Sequence, residues 1–248
     1  MKVIFLGTNG WYDTETGNTI CTLVQTERYD ILLDAGNGIH RAIGLLEGAK
    51  PVFLFLSHFH IDHIEGLHIL AKFRFREGLT ICAPTGGREI LGTFINAPFT
   101  IPLAALPYPA RILEMPEETA SLPFSVKALP LRHASLTLGY RFAIDGRIIS
   151  YCPDTGYCEN AVNLALASDL LITECAYQEG QSCEEWPHLN PETAARIARE
   201  AGTKRLALTH FDAGVYTSLP ERKESEAAAS ATFTATTAAV DGLQIDII

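Results

Sequence analysis

The chain has 248 residues, 47% of them hydrophobic and 19% charged, a composition that fits a soluble globular protein with a sizeable core. A formal net charge of −10 argues against a partner held through clustered Lys and Arg, such as bulk nucleic acid or an anionic membrane surface. There is no run of about 20 apolar residues, so no transmembrane helix is expected.

The opening MKVIFLGTNGW has one Lys and an apolar run interrupted by Gly7, too short for a signal peptide. None of the six cysteines forms a CxxC pair, so free thiols in a reducing cytoplasm are expected. Three short β-type runs come first: KVIFLG, TICTLVQT and YDILLDAG. The first pairs with the second through the loop TNGWYDTETGN. The third ends in Asp34-Ala35-Gly36-Asn37-Gly38, residue types that tolerate turn geometry. A helix of about ten residues, HRAIGLLEGA, is expected next, and then PVFLFLS, uniformly apolar and so a strand buried on both faces. IEGLHILAKFRF has helical spacing.

The pattern then repeats. LTICAPTG reads as strand and turn, and GREILGTFI as helix. ARILEM, FSVKALPLRH, LGYRFAID and RIISYCPDTG read as strands, NAVNLALASD as helix, and DLLITECA as strand. NPETAARIAREAG is a helix started by Pro191 and stopped by Gly202. RLALTHF is another apolar strand, SLPERKESEAAASATF a helix, and LQIDII a final edge strand. The Ala/Thr stretch 227–239 favours helix through its Ala content. Two runs of strands, each followed by helices and with no Gly/Ser/Pro linker between them, predict an α/β protein. It is expected to be one domain over 1–248, with two mixed sheets back to back and helices outside, αββα.

Polar residues collect at strand ends, where α/β scaffolds place their sites: Asp34, the 58–63 cluster, His133, Asp154, Glu174 and His210. His58, His60, Asp62 and His63 form H-x-H-x-D-H directly after the buried strand. In an extended turn His58 and His60 point the same way, while Asp62 and His63 turn towards a neighbouring position. One metal takes the first pair and a second metal the other; imidazole suits Zn, Fe, Ni and Cu, and carboxylate adds Mn. His40 and His68 fall outside the pattern and read as surface or helix residues. Cys152 and Cys158 flank Asp154 but read as structural thiols. Lys72, Arg74 and Arg76 read as a solvated edge. Trp11 and Tyr12 suit either a pocket mouth or a core anchor.

HFHIDH resembles the signature of the metallo-β-lactamase superfamily, and LRHASLTLGY, CPDTG and LTHF follow in the family's order. The resemblance implies the metallo-β-lactamase fold and two divalent metal ions per chain, Zn first, with Mn or Fe allowed. It implies that His58, His60 and His133 bind one metal, that Asp62, His63 and His210 bind the other, and that Asp154 bridges. Asp34 matches the aspartate that fixes the N–H of a metal-bound imidazole. His133-Ala-Ser-Leu-Thr-Leu-Gly139-Tyr140, FLGTNG and DTG resemble the phosphodiesterase branch, which includes ribonuclease Z and the cyclic phosphodiesterases of phosphonate breakdown. In PHLNPETAARIA, His188 stands where those enzymes carry a catalytic histidine, and Glu174 in ITECA where an acidic residue orients it. Two departures stand out. His133 and Asp154 are only 21 residues apart, which leaves no room for a tRNA-gripping arm, and only Cys21 lies where phosphonate-pathway enzymes carry a Cys-rich zinc site.

The function expected is dinuclear metal-dependent hydrolysis of small phosphodiesters by a metal-bridging hydroxide. His188 and Glu174 assist, and Asp62 serves catalysis as well as metal binding. The expected partner is a small phosphodiester; a homodimer is allowed, and neither tRNA nor a membrane is expected. The alternatives are a carboxylic ester, thioester or lactone hydrolase, an armless tRNA 3′-processing ribonuclease, a metal-centred oxidoreductase and a scaffold that has lost chemistry. The scaffold would have lost ligands, and all seven are present.

Overall fold

Short apolar runs separated by turn residues set the strands. In the computed structural model, which describes residues 1–46 and 50–248, the first half of the chain gives β1 (Lys2–Gly7), β2 (Asn9–Gly10), β3 (Cys21–Gln25), β4 (Asp30–Leu33), β5 (Val52–Phe55), β6 (Leu79–Pro84) and β7 (Ala110–Met115). The second half gives β8 (Ser125–Pro130), β9 (Leu138–Ile144), β10 (Arg147–Cys152), β11 (Leu170–Glu174), β12 (Leu206–Thr209), β13 (Phe211–Asp212), β14 (Thr236–Ala238) and β15 (Gln244–Asp246). The α-helices are α1 (Ile61–Ile64), α2 (Gly87–Phe94), α3 (Glu159–Ala165), α4 (Pro191–Ala201) and α5 (Leu219–Ser230).

The first sheet runs β15-β1-β3-β4-β5-β6-β7, antiparallel from β15 to β4 and parallel from β4 to β7. The second runs β14-β12-β11-β10-β9-β8, parallel from β14 to β10 and antiparallel from there. Strands β2 and β13 form a small parallel pair of their own.

Alternation along β1 explains the layering. Val3 and Phe5 point into an apolar layer between the sheets, where they meet Tyr140, Phe142, Tyr151 and Ile172 of the second sheet. Ile4 and Leu6 point the other way, into a layer with Ile39, Ile64, Leu67 and Leu70. A third layer lies outside the second sheet, where Leu171 and Leu208 pack on Leu164 of α3 and on Ile197 and Ala198 of α4. Three apolar layers make four layers of secondary structure, the αββα arrangement expected. Both faces of the central strands are covered, which is why β5 reads as an unbroken apolar run and why β5, β6, β11 and β12 are buried throughout.

Most expected elements lie where the periodicity put them. α4 begins at Pro191 with the Asn190 side chain accepting from Thr193 N–H (2.9 Å), and it ends on left-handed Gly202. The helix expected over 40–49 is a 3₁₀ helix at Asn37–Ala42 followed by a turn; its last residues, 47–49, lie outside the described ones. The helical segment expected over 64–75 is also 3₁₀, over Glu65–Lys72. Phe73 and Phe75 follow it into the core as non-helical residues. The Ala/Thr stretch divides: its alanines end α5, and its β-branched threonines open β14 against β12. His40 and His68 are exposed, each ring bonded to a carbonyl three residues back. Lys72, Arg74 and Arg76 are exposed as well. All six cysteines are unpaired, and among the described residues no helix is long and apolar enough to cross a membrane.

Phe55 joins the two sheets. Its ring lies 4.8 Å from Phe142 and 5.2 Å from Tyr140, edge-to-face in both pairs. Phe55→Ala is expected to cost about 3–5 kcal/mol of unfolding free energy, read from the urea midpoint. A loss under about 1 kcal/mol would show that this contact does not hold the layers together.

Candidate metal and hydrolytic site

The polar residues sit where strands stop. Asp34 follows β4, Ser57 to His63 follow β5, Asp154 follows β10, Glu174 ends β11, His210 follows β12, and His133 lies between β8 and β9. Both sheets deliver these ends to one edge of the sandwich.

The turn after β5 does what its spacing asks. His58 and His60 are extended and lie side by side, ring centroids 4.4 Å apart, and α1 then swings Asp62 and His63 away. Two clusters result. His58, His60, His133 and Asp154 bring one donor atom each within 4.8 Å of one another, and so do Asp62, His63 and His210. Asp154 lies between them. Its Oδ1 is 3.1 Å from His63 Nε2 and 3.2 Å from His210 Nε2. Its Oδ2 is 3.8 Å from His133 Nε2 and 3.9 Å from His58 Nε2. His188 lies within reach of Asp154 and His210 as a third grouping.

Neighbouring side chains fix the rings. The fully buried Asp34 accepts from Ser57 N–H (2.7 Å), Ser57 Oγ (2.8 Å) and Tyr151 OH (2.6 Å), and its Oδ2 lies 2.8 Å from His63 Nδ1. His58 Nδ1 lies 2.9 Å from the same Ser57 Oγ. With Nδ1 protonated on both rings, Nε2 is the bare nitrogen, turned to the centre of the site. His58 Nε2 is buried with no hydrogen-bond partner. His63 Nε2 and His210 Nε2 face each other at 3.1 Å.

At His58 the electrostatics agree with that arrangement. Burial, then His63, holds His58 well below the usual histidine range. Burial also brings His133 down to about 4, with Asp154 opposing. Both rings are neutral at pH 7, the state that binds a metal. His63 goes the other way: burial opposes its charge, but Asp154, Asp34 and Asp62 outweigh it and raise the pKa. Asp154 is held well below the carboxylate range by His210 and His63, against the cost of its burial. Two carboxylates and five imidazoles, with the buried His58 Nε2 left without a partner, form a donor set that a divalent cation fits.

Beside the clusters, Glu174 is fully buried. It accepts from Thr155 N–H (2.6 Å) and Ala176 N–H (3.1 Å) and meets His188 Nδ1 at 2.7 Å. Burial works against a charged His188, but Glu174, then Asp154 and Asp212, raise its pKa to about 9. A cavity of about 250 Å³ opens here. His60, Asp62, Asp154, His188 and His210 form its polar side, and Trp11, Ile61 and Trp186 its apolar wall.

All ten residues singled out by the sequence thus lie in one region: the seven histidines and aspartates in the clusters, Asp34 behind His63, and His188 with Glu174 beside them. Cys152 and Cys158 belong to neither cluster. Of the two readings left open for the N-terminal loop, Trp11 takes the pocket mouth: it lines the cavity, and its N–H donates to Asp62 Oδ2 at 2.7 Å, whereas Tyr12 does not reach the cavity and lies beside Gly214. Trp186 was missed, because a lone Trp in an irregular segment has no spacing to announce it. Gly10 was legible only as a turn residue, yet a Cβ there would stand 2.6 Å from the His210 ring.

Gly10→Ala is expected to push the His210 ring or destabilise the fold by about 1–3 kcal/mol, the cost of overpacking. Thermal unfolding and the His210 ring resonances check it. Unchanged stability with unchanged resonances would mean that the ring has slack.

A family model described as "Beta-lactamase superfamily domain" matches residues 29–211. The "Probable metallo-hydrolase YhfI" of Bacillus subtilis is 28% identical over 229 residues, covering 91% of this chain and 93% of that protein. A ribonuclease Z of Bacillus licheniformis is 27% identical over 277 residues, covering 86% and 89%. The crystal structure of YhfI, described as a metallo-beta-lactamase fold protein, superposes with a TM-score of 0.80 at 23% identity, over 99% of each chain. A diphosphatase from the PhnP family superposes with a TM-score of 0.74 at 17% identity, over 100% of this chain and 98% of that one. These likenesses establish the metallo-β-lactamase fold.

Proposed function

The chain belongs to the beta-lactamase superfamily, and on that premise we propose that it is a dinuclear metal-dependent phosphodiesterase acting on small or short phosphodiesters. In this reading residues 1–248 are one catalytic domain, working in the cytoplasm. His58, His60 and His133 hold one cation, zinc first among the candidates, and Asp62, His63 and His210 hold the other. Asp154 serves both. The observation that carries the reading is Asp154, with one oxygen turned to each histidine cluster and His188 beside it.

Divalent cations bound there would acidify a water near neutral pH and offset the charge of the phosphate oxygens. The chain's own residues do the rest. Asp34 and Ser57 keep the His63 and His58 rings in one tautomer and one orientation. Trp11 N–H holds Asp62 in place. Glu174 anchors Nδ1 of His188 and leaves Nε2 free. With its pKa raised, His188 carries a proton at pH 7 and donates it to the departing oxygen.

A small substrate is favoured over tRNA by three features. The 21-residue interval from His133 to Asp154 is filled by β9, β10 and their turns. The alignment to the Bacillus licheniformis ribonuclease Z runs over 277 positions, more than the 248 residues here, so that protein carries segments this chain lacks. The net charge of −10 offers no general attraction to a polyanion.

Metal analysis joined to kinetics tests the site. Wild type should hold roughly two divalent ions, and Asp154→Ala should lose both metal and turnover, because it removes a ligand from both clusters. His188→Ala should keep its metal yet lose roughly 10²–10⁴ in rate. Metal loss in His188→Ala would make His188 a ligand, and near-native turnover by Asp154→Ala would overturn the dinuclear reading.

Substrate size is a separate question. kcat/KM for bis(p-nitrophenyl) phosphate should exceed that for a tRNA precursor at physiological salt. The names of the ribonuclease Z relatives support the opposite result. Efficient, site-specific cleavage at the tRNA 3′ end would make the chain an armless tRNA-processing enzyme.

A further inference from the structure

The chain has only two tryptophans, and both form the wall of the cavity above the metal-type clusters. Trp186 stacks on His60 with centroids 5.7 Å apart and planes 10° from parallel. Trp11 stacks on Trp186 at 5.9 Å and 26°. The three rings make a ladder from a candidate metal ligand to solvent, where Trp11 is 53% exposed. We propose that this ladder is a stacking subsite for a nucleobase carried by the phosphodiester, with Trp11 as the residue that selects for it. The proposal rests on the phosphodiesterase reading and names its substrate class.

The first support is the backbone of Trp11. Its φ is 70°, the left-handed region, which costs a bulky residue about 1–3 kcal/mol. The bond from its N–H to Asp62 needs only a backbone, and glycine would adopt that φ without strain. The position nevertheless carries the largest side chain there is. Supporting Asp62 therefore does not account for the indole, and an exposed ring at the cavity mouth does not account for itself as core packing.

The second support is the chemistry of the wall. Among the described residues no Lys or Arg lines the cavity, so nothing there reads further phosphates, and recognition beyond the reacting group falls to apolar and aromatic contact. Every nucleobase has a π face, and stacking on an aromatic side chain is tolerant of sequence. A cavity of about 250 Å³ lies at the small end for ligand sites, which suits one nucleoside unit rather than a polymer.

Two diesters with the same leaving group separate the base from the chemistry: methyl p-nitrophenyl phosphate and thymidine 5′-(p-nitrophenyl phosphate). The metal-loaded enzyme should prefer the thymidine ester in kcat/KM. Trp11→Ala should reduce that preference about 5- to 150-fold, the range for removing one base-stacking aromatic. Trp11→Phe should keep most of it and Trp11→Leu should not, because leucine covers apolar surface without a π face. Binding of thymidine 5′-monophosphate, followed by quenching of tryptophan fluorescence, gives a readout independent of turnover. Equal preference in wild type and Trp11→Ala, with no quenching, overturns the subsite while leaving the phosphodiesterase reading intact. Quenching with neither diester cleaved would retain the subsite and overturn that reading. Equal loss of preference in the Phe and Leu variants would overturn stacking in favour of simple apolar cover.

Discussion

The site depends on one buried carboxylate. Asp34 is fully buried, where an uncompensated charge would be prohibitive, and its oxygens take two donors from Ser57, one from Tyr151 and a fourth contact from His63. Those partners come from three places: the turn after β5, strand β10 of the opposite sheet, and α1. Satisfying the charge therefore ties both sheets together at the edge where the histidines converge. It also settles chemistry, because Ser57 spends its proton on Asp34 and is left to accept from His58. The same carboxylate thus presents Nε2 of two different rings to two different clusters.

A second constraint runs through the N-terminal loop. Five non-glycine residues have positive φ among the described residues, and three of them are Trp11, Asp34 and His210. Strain of this kind survives only where surroundings over-determine it. Around Trp11 and His210 they do so visibly. β13 pairs with β2 beside His210 and Trp11: Phe211 N–H donates to the Thr8 carbonyl at 2.9 Å and Ala213 N–H to the Gly10 carbonyl at 3.3 Å. Arg222 of α5, itself buried, donates to Asn9, Thr8 (2.8 Å) and Thr16 (3.0 Å) and lies 4.7 Å over the Phe211 ring. Burial lowers the Arg222 pKa only to about 10, so it stays charged and binds α5 to the loop. These bonds tie the loop that touches Asp62 to β13 and to α5.

How much of this was legible follows from the length scale of each signal. Period-two and unbroken apolar runs identified the long strands, and H-x-H-x-D-H identified a metal-type turn, because both are written in consecutive residues. β2, β13 and β14 were missed because two or three residues carry no period; tertiary pairing alone makes them strands. The segments 40–49 and 64–75 were expected to be helical, and what forms there is 3₁₀, at Asn37–Ala42 and Glu65–Lys72. Gly36 and Gly66 sit there with their backbones against neighbouring carbonyls, where any side chain would collide. Trp186 could not be read at all, since only folding brings residue 186 onto His60.

The acidic surface and the cation-poor cavity then make one argument. A polyanion approaching a chain of net charge −10 gains nothing until it reaches the site, and inside the cavity the positive charge comes from His188 and whatever cations the two clusters hold. Under the proposed phosphodiesterase activity that field would act on the reacting phosphate, and it falls off within about 8–10 Å in physiological salt. Groups farther out are left to contact, and the contact available is aromatic. On the proposed activity, selectivity between substrates of equal reactivity would arise from the wall of Trp11, Ile61 and Trp186, while the rate on any of them would be set by the geometry that Asp34, Asp154 and Glu174 impose on the histidines.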